Sequence, residues 1–218
     1  MNSVQIAAGA FGFGLLIGTC GAYGKLYGGP VVRDLFEVYT TIVRAVPELV
    51  LILLLYFAGT DLLNRALEAF GYQAMDINGL VAGIWVLAIV QGAYATEVIR
   101  GAILSVPQGQ IEAARAYGMS PGKMLRRITL PAMLPFAIPG LANLWLIATK
   151  DTALLAIVGF SELTQETRTA AGQTKAYFTF FMAAGGLYLA LTLVSNIFIA
   201  RVERWSRRGM PSVAGGGQ

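Results

Sequence analysis

Long stretches without a single charged residue constrain this chain more than any other feature, because a sequence built mainly of them does not have water as its main solvent. A bilayer core of about 30 Å needs about 20 helical residues at about 1.5 Å each, and backbone groups in hydrocarbon must be satisfied within the segment, which selects helices. Val4 to Tyr23, Ile77 to Thr96, Ile128 to Thr149 and Ala176 to Ala200 are uncharged runs of that order. A fifth, Thr41 to Thr60, is looser, with Arg44 and Glu48 near its start. The expectation is an all-α membrane protein of about five transmembrane helices. Composition agrees: 13% of residues are charged, against about 25% in an ordinary soluble domain. Residues 1–205 read as one membrane domain and the Pro/Gly-rich 206–218 as a disordered tail. Met1-Asn2-Ser3 supplies no positive n-region, so the first span reads as a retained helix and not as a cleaved signal peptide. Its Gly9, Gly14 and Gly18, with Gly12 and Gly21 nearby, favour close helix packing.

Orientation follows from the basic residues, which accumulate on cytoplasmic connections. Lys25, Arg33 and Arg44 follow span one; Arg100, Arg115, Lys123, Arg126 and Arg127 follow span three; Arg201, Arg204, Arg207 and Arg208 follow span five. With five spans all twelve fall on one side, against four (Arg65, Lys150, Arg168 and Lys175) on the other. The N-terminus is therefore expected outside and the C-terminus inside. The net charge of +4 is read as a topology signal, not as a nucleic-acid footprint, because the basic residues flank apolar spans. Cys20 is the one cysteine and there is no histidine, so neither a disulfide nor a thiolate or histidine metal site is expected.

Between spans three and four, Pro107 and Gly109 are expected to break the preceding helix. Glu112 to Tyr117 then reads as a short helix with a carboxylate in its first turn, and Gly118 is placed to stop it in the left-handed conformation. Ser120 offers the next N-cap and Pro121 a first-turn residue. Glu112-Ala113-Ala114, then Gly118, Ile128 and Leu130-Pro131 at this spacing resemble the signature loop of ATP-binding-cassette (ABC) importer permeases. Ala93-Tyr94 to Ala102, Arg44 to Glu48 and Lys150 to Leu154 are similar to the polar amino-acid branch, which includes histidine, basic amino-acid and opine permeases of the MetI-like type. Relatives usually carry a polar-to-apolar lead before the first span, whereas Met1 here stands almost inside it.

The resemblance implies a multi-pass permease of the bacterial inner membrane, paired with an identical or homologous permease. ATP-hydrolysing subunits and an external substrate-binding protein are the other partners it implies. The loop would be the coupling helix, with Ala113, Ala114 and Ala116 allowing close approach to an ATPase groove and Glu112 and Arg115 making polar contacts. The chain has no G-x-x-x-x-G-K-[ST] motif, no metal-ligand cluster and no nucleophile beside a base. It is thus expected to be a transport subunit with no cofactor and no catalytic site. A polar or basic amino acid, or an opine, is the expected substrate. The alternative is a secondary transporter or channel without an ATPase partner, which is usually built from internal repeats not seen here.

Ionisable and polar groups at membrane depth need a reason. Glu48 either pairs with Arg44 or lends negative potential to a pathway for a cation. Glu97 and Arg100 share a helix face and are expected to pair locally. Gln91 and Tyr94, also on one face, either line a pathway or join helices. Lys150 and Asp151 either pair with each other or meet the substrate's charged groups, with Thr152 adding a hydroxyl. Their depth depends on whether the helix carrying Pro131, Pro135 and Pro139 starts early or late.

Overall fold

A computed structural model describes residues 2–73 and 78–208, and every described regular element is a helix. Five helical stretches are long and apolar enough to cross a bilayer. The centre is a pair, α1 (Asn2–Tyr27) and α4 (Gly79–Leu104). The two run parallel: Gly9 meets Ile84, Gly14 meets Gln91, Gly18 meets Ala95 and Gly21 meets Thr96. Small residues allow this approach, which in a membrane must rest on packing because lipid supplies no hydrophobic drive between helices. Gly12 takes no part, since a Cβ there would face open space. A Cβ on Gly18 would lie 2.5 Å from that of Ala95. Gly18→Ala is therefore expected to destabilise the bundle by about 1–3 kcal/mol, while Gly12→Ala stays near neutral. Thermal unfolding of the two purified variants in detergent checks this.

The second span departs from the sequence reading. The helix expected over Thr41–Thr60 is broken at Val46–Pro47, giving α2 (Pro30–Ala45) and α3 (Glu48–Ala69). Pro47 has no N–H to continue the ladder, and a residue before proline is driven extended, as Val46 is with φ −94° and ψ 138°. Phe36 of α2 lies over Gly24, and Val43 packs with Val90 and Ala93. Leu51 of α3 joins that second group, while Ile52 packs with Ile6, Leu87 and Phe160. Thus α2 climbs from the far end of α1 to the middle of α4, and α3 continues toward the near end. The start assigned to the third span, Ile77, lies outside the described residues.

After α4 the chain turns through Ser105–Pro107 into α5 (Gln108–Ala116) and a single turn, α6 (Pro121–Met124). Gly109 sits inside α5 and so breaks nothing; Pro107 alone marks the junction. A π-turn over Leu125–Thr129, with the Leu130 N–H bonded to the Leu125 carbonyl, leads into α7 (Leu130–Asp151). The wider turn precedes Pro131, whose ring would clash with the Arg127 carbonyl in a regular α-helix. Beyond α7 a 3-10 stretch, Thr152–Val158, ends at Gly159. Then α8 (Leu163–Thr174) packs beside α9 (Tyr177–Ser206). Ser206, assigned from sequence to the tail, belongs to α9; residues 209–218 of that tail lie outside the described residues.

The depth of Asp151 follows from how α7 crosses α4. Gly140 meets Val98, and Asp151 meets Gln91. Eleven residues of α7, about 16 Å, thus cover only seven of α4, about 10 Å, so the two helices cross obliquely. The helix starts at Leu130 without delay, yet Asp151 ends beside Gln91, the thirteenth of the 26 residues of α4. An early start and a mid-bundle ending are both realised, through tilt.

Candidate translocation site and coupling loop

Three buried or half-buried carboxylate sites lie along the bundle, and they differ in how their charge is met. Glu97 of α4 accepts hydrogen bonds from Arg100 Nε and Nη2 at 3.1 and 2.8 Å and from Lys25 Nζ of α1. The local pair read from sequence is present, but Lys25, read as a topology charge, is buried inside the cluster. Glu162 is 2% exposed. Its carboxylate accepts from the Gln165 N–H at 2.8 Å as an N-cap of α8, from the Tyr188 hydroxyl at 3.1 Å and from Ser3 Oγ at 3.5 Å. Both are saturated by partners in the chain.

Asp151 is not. It is buried, and its one hydrogen-bond donor among the described residues is the side-chain amide of Gln91, at 3.0 Å. Alongside it stands a second carboxylate, Glu48, near enough for its charge to act on both Asp151 and Tyr94. Gln91 is 1% exposed, and its side-chain carbonyl oxygen is buried without a partner. Four acceptor-rich groups from α3, α4 and α7 therefore converge at the middle of the bundle, where an unmatched charge costs several kcal/mol. The Arg44 charge reaches Tyr94 and the Lys150 charge reaches Asp151, both from exposed positions.

Among the described residues Glu48 forms no ion pair with Arg44 and Asp151 none with Lys150. Gln91 bonds to Asp151, while Tyr94 packs against the Val43, Leu51, Val90 and Ala93 cluster within reach of the carboxylates' charge. Thr152 turns away: fully buried, it donates to the Thr149 carbonyl at 2.9 Å. Glu162 was not found from sequence. The one local signal was a carboxylate followed three residues later by the amide it caps; of its other partners Tyr188 lies 26 positions away and Ser3 159.

At the end of the bundle away from Asn2, α5 is set on the core through Ile111, which packs against a cluster of Ile99, Ile103, Val106 and Met133. Its C-terminus is a Schellman motif: Met119 N–H bonds to the Ala114 carbonyl at 3.0 Å and Gly118 N–H to the Arg115 carbonyl at 2.9 Å. Gly118 has φ +70°, the left-handed stop expected of it. Ser120 holds extended N-cap geometry with Pro121 at the first position, but its side chain forms no capping bond. The helix begins four residues earlier than expected, so Glu112 lies beyond its first turn and the dipole argument for it falls. Ala114 is 3% exposed and faces the bundle, which removes it from any partner-facing surface. Glu112, Ala113, Arg115 and Ala116 are exposed, and so is Tyr117, at 86%, a residue sequence reading did not single out.

Comparison with known proteins places this geometry. Residues 10–208 match the family model described as "binding-protein-dependent transport system inner membrane component". The chain is 42% identical to the nopaline transport system permease protein NocQ of Agrobacterium fabrum, over 97% of this chain and 91% of that one. It is 40% identical to the histidine/lysine/arginine/ornithine transport system permease protein HisQ of Escherichia coli, over 93% and 89%. A crystal structure of an amino acid ABC transporter with histidines superposes with a TM-score of 0.78 at 28% identity, covering 93% of this chain and 90% of that one. With this family match over nearly its whole length and five membrane-crossing helices, the chain belongs to the inner-membrane permease subunits of ABC importers, which work with a second permease and leave ATP hydrolysis to a separate subunit.

Proposed function

We propose that this permease passes a cationic amino acid or a related opine, and that Glu48, Gln91, Tyr94 and Asp151 receive its positive group. The observation that carries this reading is the contrast among the carboxylates within the bundle: Glu97 and Glu162 are met by donors within the chain, whereas Asp151 has one neutral donor and a second carboxylate beside it. A guanidinium or ammonium group supplies several donors and a positive charge to the site. Lys150 and Arg44, exposed at the rim, suit the substrate's carboxylate. The names of NocQ and HisQ, transporters of nopaline and of histidine, lysine, arginine and ornithine, agree with that chemistry.

The end bearing α5 faces the cytoplasm, so the N-terminus is outside and the C-terminus inside; the distribution of basic residues supports this. There α5 docks on the ATPase with Glu112, Ala113, Arg115, Ala116 and Tyr117 outward. An external binding protein delivers the substrate at the opposite end. In a Cys20→Ser background, a cysteine placed at Gln108 is expected to react with a membrane-impermeant maleimide only when the cytoplasmic face is open; labelling in intact cells would reverse the orientation. Competition of ATP-driven uptake in vesicles by lysine, arginine and glutamine tests the substrate class, with glutamine expected to compete least.

A further inference from the structure

Helix α2 is bounded by two breaks, Gly28–Gly29 before it and Val46–Pro47 after it. The α1–α4 pair it rests on is rigid by comparison, because Gly14 and Gly18 bring it to near-backbone contact. What fixes α2 to that pair is mostly apolar contact, one hydrogen bond from the Tyr39 hydroxyl to the Ile89 carbonyl, and Lys25. The Lys25 side chain is 4% exposed, and its ammonium meets three acceptors: Glu97 on α4, and Thr40 Oγ1 at 2.8 Å and Glu37 Oε2 at 2.7 Å on α2. Arg100 is the other charge facing this cluster, through Glu97.

The three acceptors are not equivalent. Glu97 is 18% exposed and held a second time by Arg100, whereas Glu37 is 64% exposed and is held by Lys25 alone among the described residues. If α2 separates, Glu37 loses one contact from a side chain that is already mostly exposed, and Lys25 keeps a counter-charge on α4. The buried cation is thus never stranded, the outcome that makes breaking a buried pair costly. Leu26 and Tyr27, just before the Gly28–Gly29 break, line the same cleft as Glu112 and Arg115 of α5, so α5 stands beside the segment where α2 begins. The other end of α2 carries Arg44 and adjoins Glu48.

We propose that Lys25 is a positioning residue for transport: its ammonium latches α2 to the α1–α4 pair through Glu37 and Thr40, and release of those two contacts lets α2 swing and carry the Arg44–Glu48 break with it. The inference rests on Glu48 and Asp151 forming the substrate site. The latch itself is read through coupling, and not through charge selection.

The test uses the complex of permease, ATPase and binding protein in vesicles. Glu37→Gln removes the charge that α2 offers while Lys25 and Glu97 stay paired. It is expected to lower substrate transported per ATP hydrolysed about fivefold or more, with KM for arginine unchanged and Lys25→Arg retaining coupling. Wild-type coupling in Glu37→Gln, or a change confined to KM, would overturn the latch. An independent measurement places cysteines at Gly24 and Phe36 in a Cys20→Ser background and joins them with a short, reducible thiol linker. Uptake should stop on linking and return on reduction; undiminished uptake with α2 tethered would overturn the proposal. Loss of discrimination between arginine and its neutral isostere citrulline in the wild-type complex would instead count against the Glu48–Asp151 site and leave the coupling result standing.

Discussion

Gly118→Asp is expected to abolish ATP-driven uptake while leaving the chain inserted in the membrane. Gly118 holds φ +70° at the end of α5, and an added Cβ would meet nothing within 4 Å in this chain. The intrinsic cost is therefore backbone strain of about 1 kcal/mol, plus a carboxylate at a helix C-terminus where the dipole disfavours it. Neither reaches the spans, whose hydrophobicity inserts them. The large effect arises on docking, because a desolvated, unpaired carboxylate between α5 and the ATPase costs several kcal/mol. Gly118→Ala, which adds a methyl without charge, is expected to fall between wild type and aspartate. Co-purification of the ATPase and uptake by vesicles check the series. Normal binding and uptake by Gly118→Asp would reduce α5 to a connection.

Asp151→Asn is expected to reduce arginine uptake about tenfold or more, through a higher KM, since it removes about 1.4 kcal/mol or more of charge-dependent binding. Asparagine keeps a side-chain carbonyl for the Gln91 amide that lies 3.0 Å from Asp151. Removing a buried charge with one neutral donor also relieves desolvation, so thermal stability is expected to hold or rise. A structural carboxylate predicts the reverse: lower melting temperature and unchanged KM. Measuring melting and uptake on the same preparation separates the two.

Much of this architecture was legible because it is local. Span length, the proline and serine at the start of α6, and the glycine stop of α5 are each written within a few residues, and all appear in the structure. The break at Val46–Pro47 was also locally signalled. A hydropathy window hides it, because the apolar run continues across a proline that the backbone cannot. What the sequence could not show is long-range. Lys25 finds Glu97 across 72 positions, and Ser3 finds Glu162 across 159, so charges that look like loop signals turn out to be buried partners. The tilt that brings Asp151 to the middle of α4 has no local signature either. In the candidate site, Glu48, Gln91, Tyr94 and Asp151 were each suspect as polar groups in apolar spans, but their convergence, and the departure of Thr152, needed the fold.

The central claim is that an unneutralised acidic site at mid-bundle selects a positive substrate. The most direct measurement compares ATP-driven uptake of arginine and citrulline, nearly equal in shape and differing in charge, by vesicles carrying the complete wild-type complex and by the Glu48→Gln/Asp151→Asn double variant. The wild type should favour arginine by about tenfold or more, since that is what a difference of about 1.4 kcal/mol gives, and the double variant should lose most of that preference. Equal uptake of the two by the wild type, or an undiminished arginine preference in the double variant, would contradict the account.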